Sequence, residues 1–99
     1  MMYLRIHEST EGRIVAACDK ELIGKVLDNG NVFMDLKRYQ GFYKGRLVKE
    51  NELQEALHNF TSLNLVGKKA VGAILRMQLI NENDVRYINT IPYVQVYKI

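Results

Sequence analysis

Cysteine is almost missing from this chain of 99 residues: Cys18 stands alone. One thiol forms no intrachain disulfide and supplies no paired-cysteine zinc site, so a reducing, cytoplasmic setting is expected. Long apolar runs are missing too. The longest, Ala70 to Leu75, falls far short of the roughly 18 residues a membrane helix needs. Met1 to Glu8 carries charge where a signal peptide needs its apolar core, so no export signal is expected. Histidine is scarce as well. His7 and His58 are far apart in sequence and have no spaced partners, so they make no recognisable metal-ligand set.

The glycine patterns of nucleotide enzymes are also lacking. Gly24-Lys25-Val26 and Gly67-Lys68-Lys69 each look like the tail of a phosphate-binding loop. That loop needs another glycine five residues earlier and a hydroxyl residue after the lysine to hold magnesium. Asp19 and Ser62 stand at the first position, Val26 and Lys69 at the second. Both candidates fail, and a nucleotide-hydrolysing mechanism is not expected. No cofactor is expected.

What remains is an ordinary globular composition, 47% hydrophobic and 25% charged, with a formal net charge of +3. Residues 1–49 hold nine basic and six acidic side chains, and residues 50–99 hold five of each, so the whole excess lies in the first half. Length and composition predict one compact domain over residues 1–99.

Period-two alternation predicts a first strand over residues 3–7, with Leu4 and Ile6 on one face and Tyr3, Arg5 and His7 on the other. Ser9-Thr10-Glu11-Gly12 reads as a turn. Arg13 to Cys18, apolar on both faces, reads as a central strand. Asp19 is placed to cap a helical turn over residues 20–23. Asn29-Gly30 predicts a hairpin with a two-residue turn, and residues 37–49 read as irregular. A helix is predicted to open at Asn51 with Gln54 completing a capping box, its buried stripe being Leu53, Ala56, Leu57 and Phe60. Residues 61–66 look extended or irregular. A second helix follows Gly67, with Ala70, Val71, Ile74 and Leu75 as its stripe and Gly72 where two backbones could pack closely. Residues 85–88 and 93–98 read as closing strands, Val94 and Val96 pointing inward. The order predicts an α+β domain: a largely antiparallel sheet of five to six strands in two layers, with two main helices on one face.

Four ordered motifs span nearly the whole chain. They are Cys18-Asp19-x-Glu21-Leu22-Ile23-Gly24-Lys25, Phe42-Tyr43-x-Gly45, Asn64-Leu65-Val66-Gly67-x-x-Ala70-Val71 and Pro92-x-Val94-Gln95-Val96. Together they resemble the small archaeal family known as domain of unknown function 424. The resemblance implies a compact α+β domain of the archaeal cytoplasm, with members often encoded near the translation apparatus and no catalytic residues established. A histidine commonly follows the proline of the last motif in that family. This chain has Tyr93 there.

Three groups of residues carry functional expectations. Cys18 precedes a helical turn whose amides could lower its pKa, but a nucleophilic thiol needs a base within reach. The strand register puts His7 about 13–17 Å away, at about 3.3 Å per residue. A buried core thiol is the favoured reading, and a small thiol enzyme is the alternative. Glu50, Glu52 and Glu55 crowd one helix start, where they complement the helix dipole.

The segment 37–49 stands apart. Its thirteen residues hold five basic side chains, Lys37, Arg38, Lys44, Arg46 and Lys49, three aromatics, Tyr39, Phe42 and Tyr43, and no acid. Cations attract phosphate and exposed rings stack on unpaired bases, which suits single-stranded RNA. The same composition fits a solvated loop whose rings fold back onto the core. Lys68 and Lys69 extend the cationic set to a second candidate anion site at a helix start. A non-enzymatic module that binds RNA or a ribonucleoprotein is therefore expected, with a protein–protein adaptor as a further alternative.

Overall fold

A computed structural model describes residues 1–98. Strands β1 (Met2–Ser9) and β2 (Gly12–Asp19) form an antiparallel hairpin whose turn is Thr10-Glu11. A short 3-10 turn, Lys20–Leu22, leads to strands β3 (Val26–Asp28) and β4 (Phe33–Asp35). Then follow α1 (Gln40–Tyr43), β5 (Arg46–Val48), α2 (Glu50–Ala56), β6 (Ser62–Val66) and α3 (Lys68–Arg76). A second 3-10 turn, Glu82–Asp84, precedes β7 (Arg86–Ile88) and β8 (Ile91–Tyr97). Six strands make the main sheet in the order β5-β1-β2-β6-β8-β7, while β3 and β4 pair only with each other. Every pairing is antiparallel except β2 with β6. The architecture is α+β.

Alternation sorts the main sheet into two faces. Leu4, Val15, Ala17, Leu63, Leu65 and Val94 lie on the helix face. Above them sit Leu53, Leu57 and Phe60 from α2 and its exit, and Val71 and Ile74 from α3, with Leu75 packed at the margin. All the stripe positions read from the sequence join this one core. The opposite, outer face carries a smaller cluster, in which Ala16, Cys18 and Val66 lie beneath Leu22, Leu36 and Tyr43. The small sheet and α1 thus cover one end of the outer face and leave the rest of it open.

Several local expectations are corrected. The hairpin at Asn29-Gly30 forms, but Asp28 pairs with Phe33, so four residues connect the strands. The Asn29 carboxamide oxygen accepts the amides of Asn31 and Val32, and the Asp28 carboxylate accepts that of Gly30. These side-chain bonds replace the tight turn. Residues 37–49 are not irregular, since they contain α1 and the edge strand β5. Helix α2 opens at Glu50 and not after Asn51. Glu52 reaches back to the amide of Lys49 at 3.1 Å, which the sequence reading assigned to Gln54. Gly72 marks no close backbone approach, because a Cβ there would meet only the Arg76 guanidinium.

Candidate functional site

Asp19 does not cap the turn that follows it. It ends the inward row Val15, Ala17, Asp19 of β2 and reaches the start of α3, where its two oxygens accept the amides of Lys69 at 3.0 Å and Ala70 at 2.9 Å. Only 2% of Asp19 is exposed, and burial pushes its carboxyl up, while the Lys69 and Ala70 amides pull it back down. Gly67 has φ +109°, and a Cβ there would collide with this carboxylate. The amides that made Lys68 and Lys69 a candidate anion site are therefore already used by an internal anion. Both lysines remain exposed on the first turn of α3.

Cys18 is fully buried, and burial pushes its thiol up to about 12, with Asp19 and Glu21 adding to the rise. A thiol held so firmly in its protonated form is a poor nucleophile. Its strand partner is Tyr3, and His7 pairs four residues further along with Ile14. Among the described residues, no group of three or more His, Cys, Asp or Glu side chains could hold a metal ion.

The basic-aromatic segment is built on the outer face. It begins at Asp35, whose Oδ1 accepts the amides of Lys37 at 3.1 Å and Arg38 at 2.7 Å. Leu36 is buried and exchanges backbone bonds with Gly24 and Lys25, which pins the segment to the chain before β3. The single turn of α1 then places its aromatics unequally. Phe42 stacks on His7 with centroids 4.8 Å apart and meets Tyr43 edge-on at 5.1 Å. The His7 Nε2 lies 2.9 Å from the Phe42 carbonyl. A carbonyl only accepts, so Nε2 carries the proton. Tyr43 is 8% exposed, its hydroxyl pushed up to about 12 by burial and by Cys18. It cannot offer a ring face to a ligand. Tyr39, 57% exposed with the Arg38 guanidinium 5.5 Å from its ring centre, is the aromatic that can.

The five cations separate as well. Lys44 holds its ammonium 5.8 Å from the centre of the Tyr3 ring, on the outer face. Arg38 lines a cleft of about 420 Å³ together with Met34, Tyr39, Phe42 and Gln95. Arg5, also on the outer face, donates to the carbonyl of Gly41. Lys37 is exposed in the turn ahead of Arg38. Arg46, by contrast, pairs in β5 with Leu4 and so lies on the helix face, with Glu52 at 3.7 Å. Lys49 is exposed at the start of α2.

A segregation of charge results. The ion pairs Arg13–Glu8, Arg46–Glu52 and Arg76–Glu50 all belong to the helix side of the sheet. On the outer face Arg5, Arg38 and Lys44 have no ion pair among the described residues and rest on rings and a carbonyl instead. Asp35 borders the cleft, but its Oδ1 is occupied by the two amides of the turn. The outer face thus presents uncompensated positive charge around exposed aromatic and polar groups, an arrangement that attracts polyanions.

Sequence reasoning missed Arg5 and the outward side chains of β6 and β8 as members of this surface. Their signal was the alternation itself: once Val94 and Val96 point inward, Tyr93, Gln95 and Tyr97 must point the other way.

No curated protein matches this chain. Among solved structures, an uncharacterized conserved protein from Methanopyrus kandleri has the same fold. It superposes with a TM-score of 0.81 at 22% identity, over 97% of this chain and 90% of that one. The four motifs gain a physical sense from the fold. Gly67 donates its amide to the Pro92 carbonyl at 2.8 Å, Asp19 caps Ala70, and a Cβ on Gly45 would strike the Leu4 carbonyl. The model of a family described as a protein of unknown function, DUF424, matches residues 6–99, and the chain belongs to that family.

Proposed function

We propose that this protein is a non-enzymatic binding module for single-stranded or looped RNA, free or within a translation-associated ribonucleoprotein, held through the outer face beside residues 37–44. One observation carries this reading: Arg5, Arg38 and Lys44 of that face have no ion pair among the described residues, while the arginines of the helix side, Arg13, Arg46 and Arg76, are each matched with a glutamate. Electrostatic attraction to phosphate supplies most of the affinity of such a surface. Tyr39 adds a ring face beside Arg38. The deep burial of Cys18 weighs against the thiol-enzyme alternative. The test is fluorescence anisotropy of labelled single-stranded RNA at low salt. Arg38→Glu with Lys44→Glu abolishes binding, whereas Arg46→Glu leaves it nearly unchanged. Equal losses from both variants, or no binding by the native chain, overturn the reading; in the latter case the adaptor alternative takes over.

A further inference from the structure

The outer face is uncovered over its far half, where the rows of the sheet are set by register. One row runs His7, Ile14, Ser62, Tyr97 across β1, β2, β6 and β8. The next runs Arg5, Ala16, Asn64, Gln95. Tyr97 is 78% exposed, the largest exposure of any large hydrophobic side chain described. Asn64 is half-buried, and its one recorded side-chain bond is a long one of 3.5 Å to the Ser62 hydroxyl. Gln95 is exposed beside it, directly across the β6–β8 pair. No carboxylate occurs in either row.

Three depressions meet on β8. The 420 Å³ cleft under Arg38 and Tyr39 ends at Gln95. A larger one of about 630 Å³ along the outer edge of β8 is lined by Gln95, Tyr97, Arg86 and one carboxylate, Asp84, whose Oδ2 accepts the Asn81 amide. A small one of about 150 Å³ lies between Tyr97, Ser62 and Ile14. Gln95 and Tyr97 are shared walls, so the depressions adjoin from the cations of the loop to an exposed ring, with the Gln95 carboxamide between them and Asn64 opposite it across the β6–β8 pair. A carboxamide offers a donor and an acceptor side by side, the pattern that pairs with the edge of an unpaired base. A ring accepts any base face.

We infer that this open half-face is the base-binding floor of the RNA site: Tyr97 stacks on one base, and Asn64 and Gln95 hydrogen-bond the edges of its neighbour. Arg38 and Lys44 hold the flanking phosphates. The inference rests on the RNA-binding reading above and adds what that reading lacks, a place where bases are told apart. His7 lies under Phe42 and Ala16 under Tyr43, so the open floor spans β2, β6 and β8 from Ile14 to Tyr97, roughly 10 Å at about 4.8 Å per strand.

The experiment is photo-crosslinking with octanucleotides of 4-thiouridine, followed by peptide mass spectrometry, with affinities measured for uridine, adenosine and cytidine octamers. Crosslinks are expected in the β8 peptide containing Tyr97. Tyr97→Leu, which removes the ring from an exposed position, should weaken binding about ten-fold. Asn64→Ala should narrow the spread of affinities among the three octamers while leaving their salt dependence unchanged. Thermal melts of both variants establish that they are folded. Suppose binding still depends on Arg38 and Lys44, but crosslinks fall only within residues 37–45 and Tyr97→Leu is harmless. The floor is then wrong and the phosphate-binding reading survives. Absence of binding to all three octamers overturns both.

Discussion

Asp19 is the residue on which two distant parts of the chain depend. It ends the central strand, lies 2% exposed, and neutralises the amides at the start of α3 from fifty positions away in sequence. Replacing it with alanine leaves those buried donors without partners, at a cost of about 1–3 kcal/mol. Gly67→Ala is expected to cost a similar amount or more, since φ +109° is strained for any side chain and the new Cβ meets the carboxylate. The two changes should not add. In the Asp19→Ala background the collision is gone, so Gly67→Ala becomes cheaper by about 0.5–3 kcal/mol. Denaturant titration of the four chains measures this, and strict additivity refutes the contact. The neighbouring thiol yields a pH prediction. Burial pushes the Cys18 thiol from its ordinary value of 9.0 up to about 12 in the fold. The folded state therefore holds the proton more tightly. Its contribution is complete below the unfolded pKa and is lost as pH rises towards the folded one, at up to about 1.4 kcal/mol per pH unit. Unfolding free energy should decline from about pH 9 towards about 12, and Cys18→Ala, though less stable at neutral pH, should decline less steeply over that range. Parallel declines would show that other groups carry the alkaline transition.

At the scale of elements, α2 is only seven residues long, too short to be stable on propensity alone. Its stability comes from the face it buries, so Leu57→Ala should cost about 2–5 kcal/mol, a large share of what a small domain possesses. Urea denaturation measures it, and a loss under about half a kilocalorie per mole would mean that this face is not the buried one. The stripes of α2 and α3, the alternation of β1 and β8 and the unbroken apolar run of β2 were legible in the sequence because apolar patterning reports burial directly. Elements fixed by other forces were not. Residues 37–49 looked irregular because their polar, glycine-bearing composition hides a turn of helix held by Phe42 and Tyr43 and a strand held by pairing with β1. The register of that strand sends Arg46 to the helix face. No local pattern in the segment announces it. Asp19 read as a local cap because proximity in sequence is all that a chain without coordinates offers. Its true partner is α3, yet the inward row Val15, Ala17, Asp19 already placed it on the helix face.

Over the whole molecule, a modest net charge of +3 conceals a polarised surface. Glutamates of β1 and α2 neutralise the arginines on the helix side. The outer face keeps Arg5, Arg38 and Lys44 unpaired, so the field that a polyanion meets depends on the side it approaches. Salt reads out this asymmetry. If about three cations of the outer face each displace one counterion from single-stranded RNA, log K against log salt should have a slope of about −2, from roughly −0.7 per phosphate. Lys44→Gln should then reduce the slope by about 0.7, whereas Arg46→Gln, which removes a cation already paired with Glu52, should leave it unchanged. Total charge changes equally in the two variants, so an effect of net charge alone predicts equal slopes. Equal slopes would refute the polarised surface, and unequal slopes would locate the phosphates on the outer face.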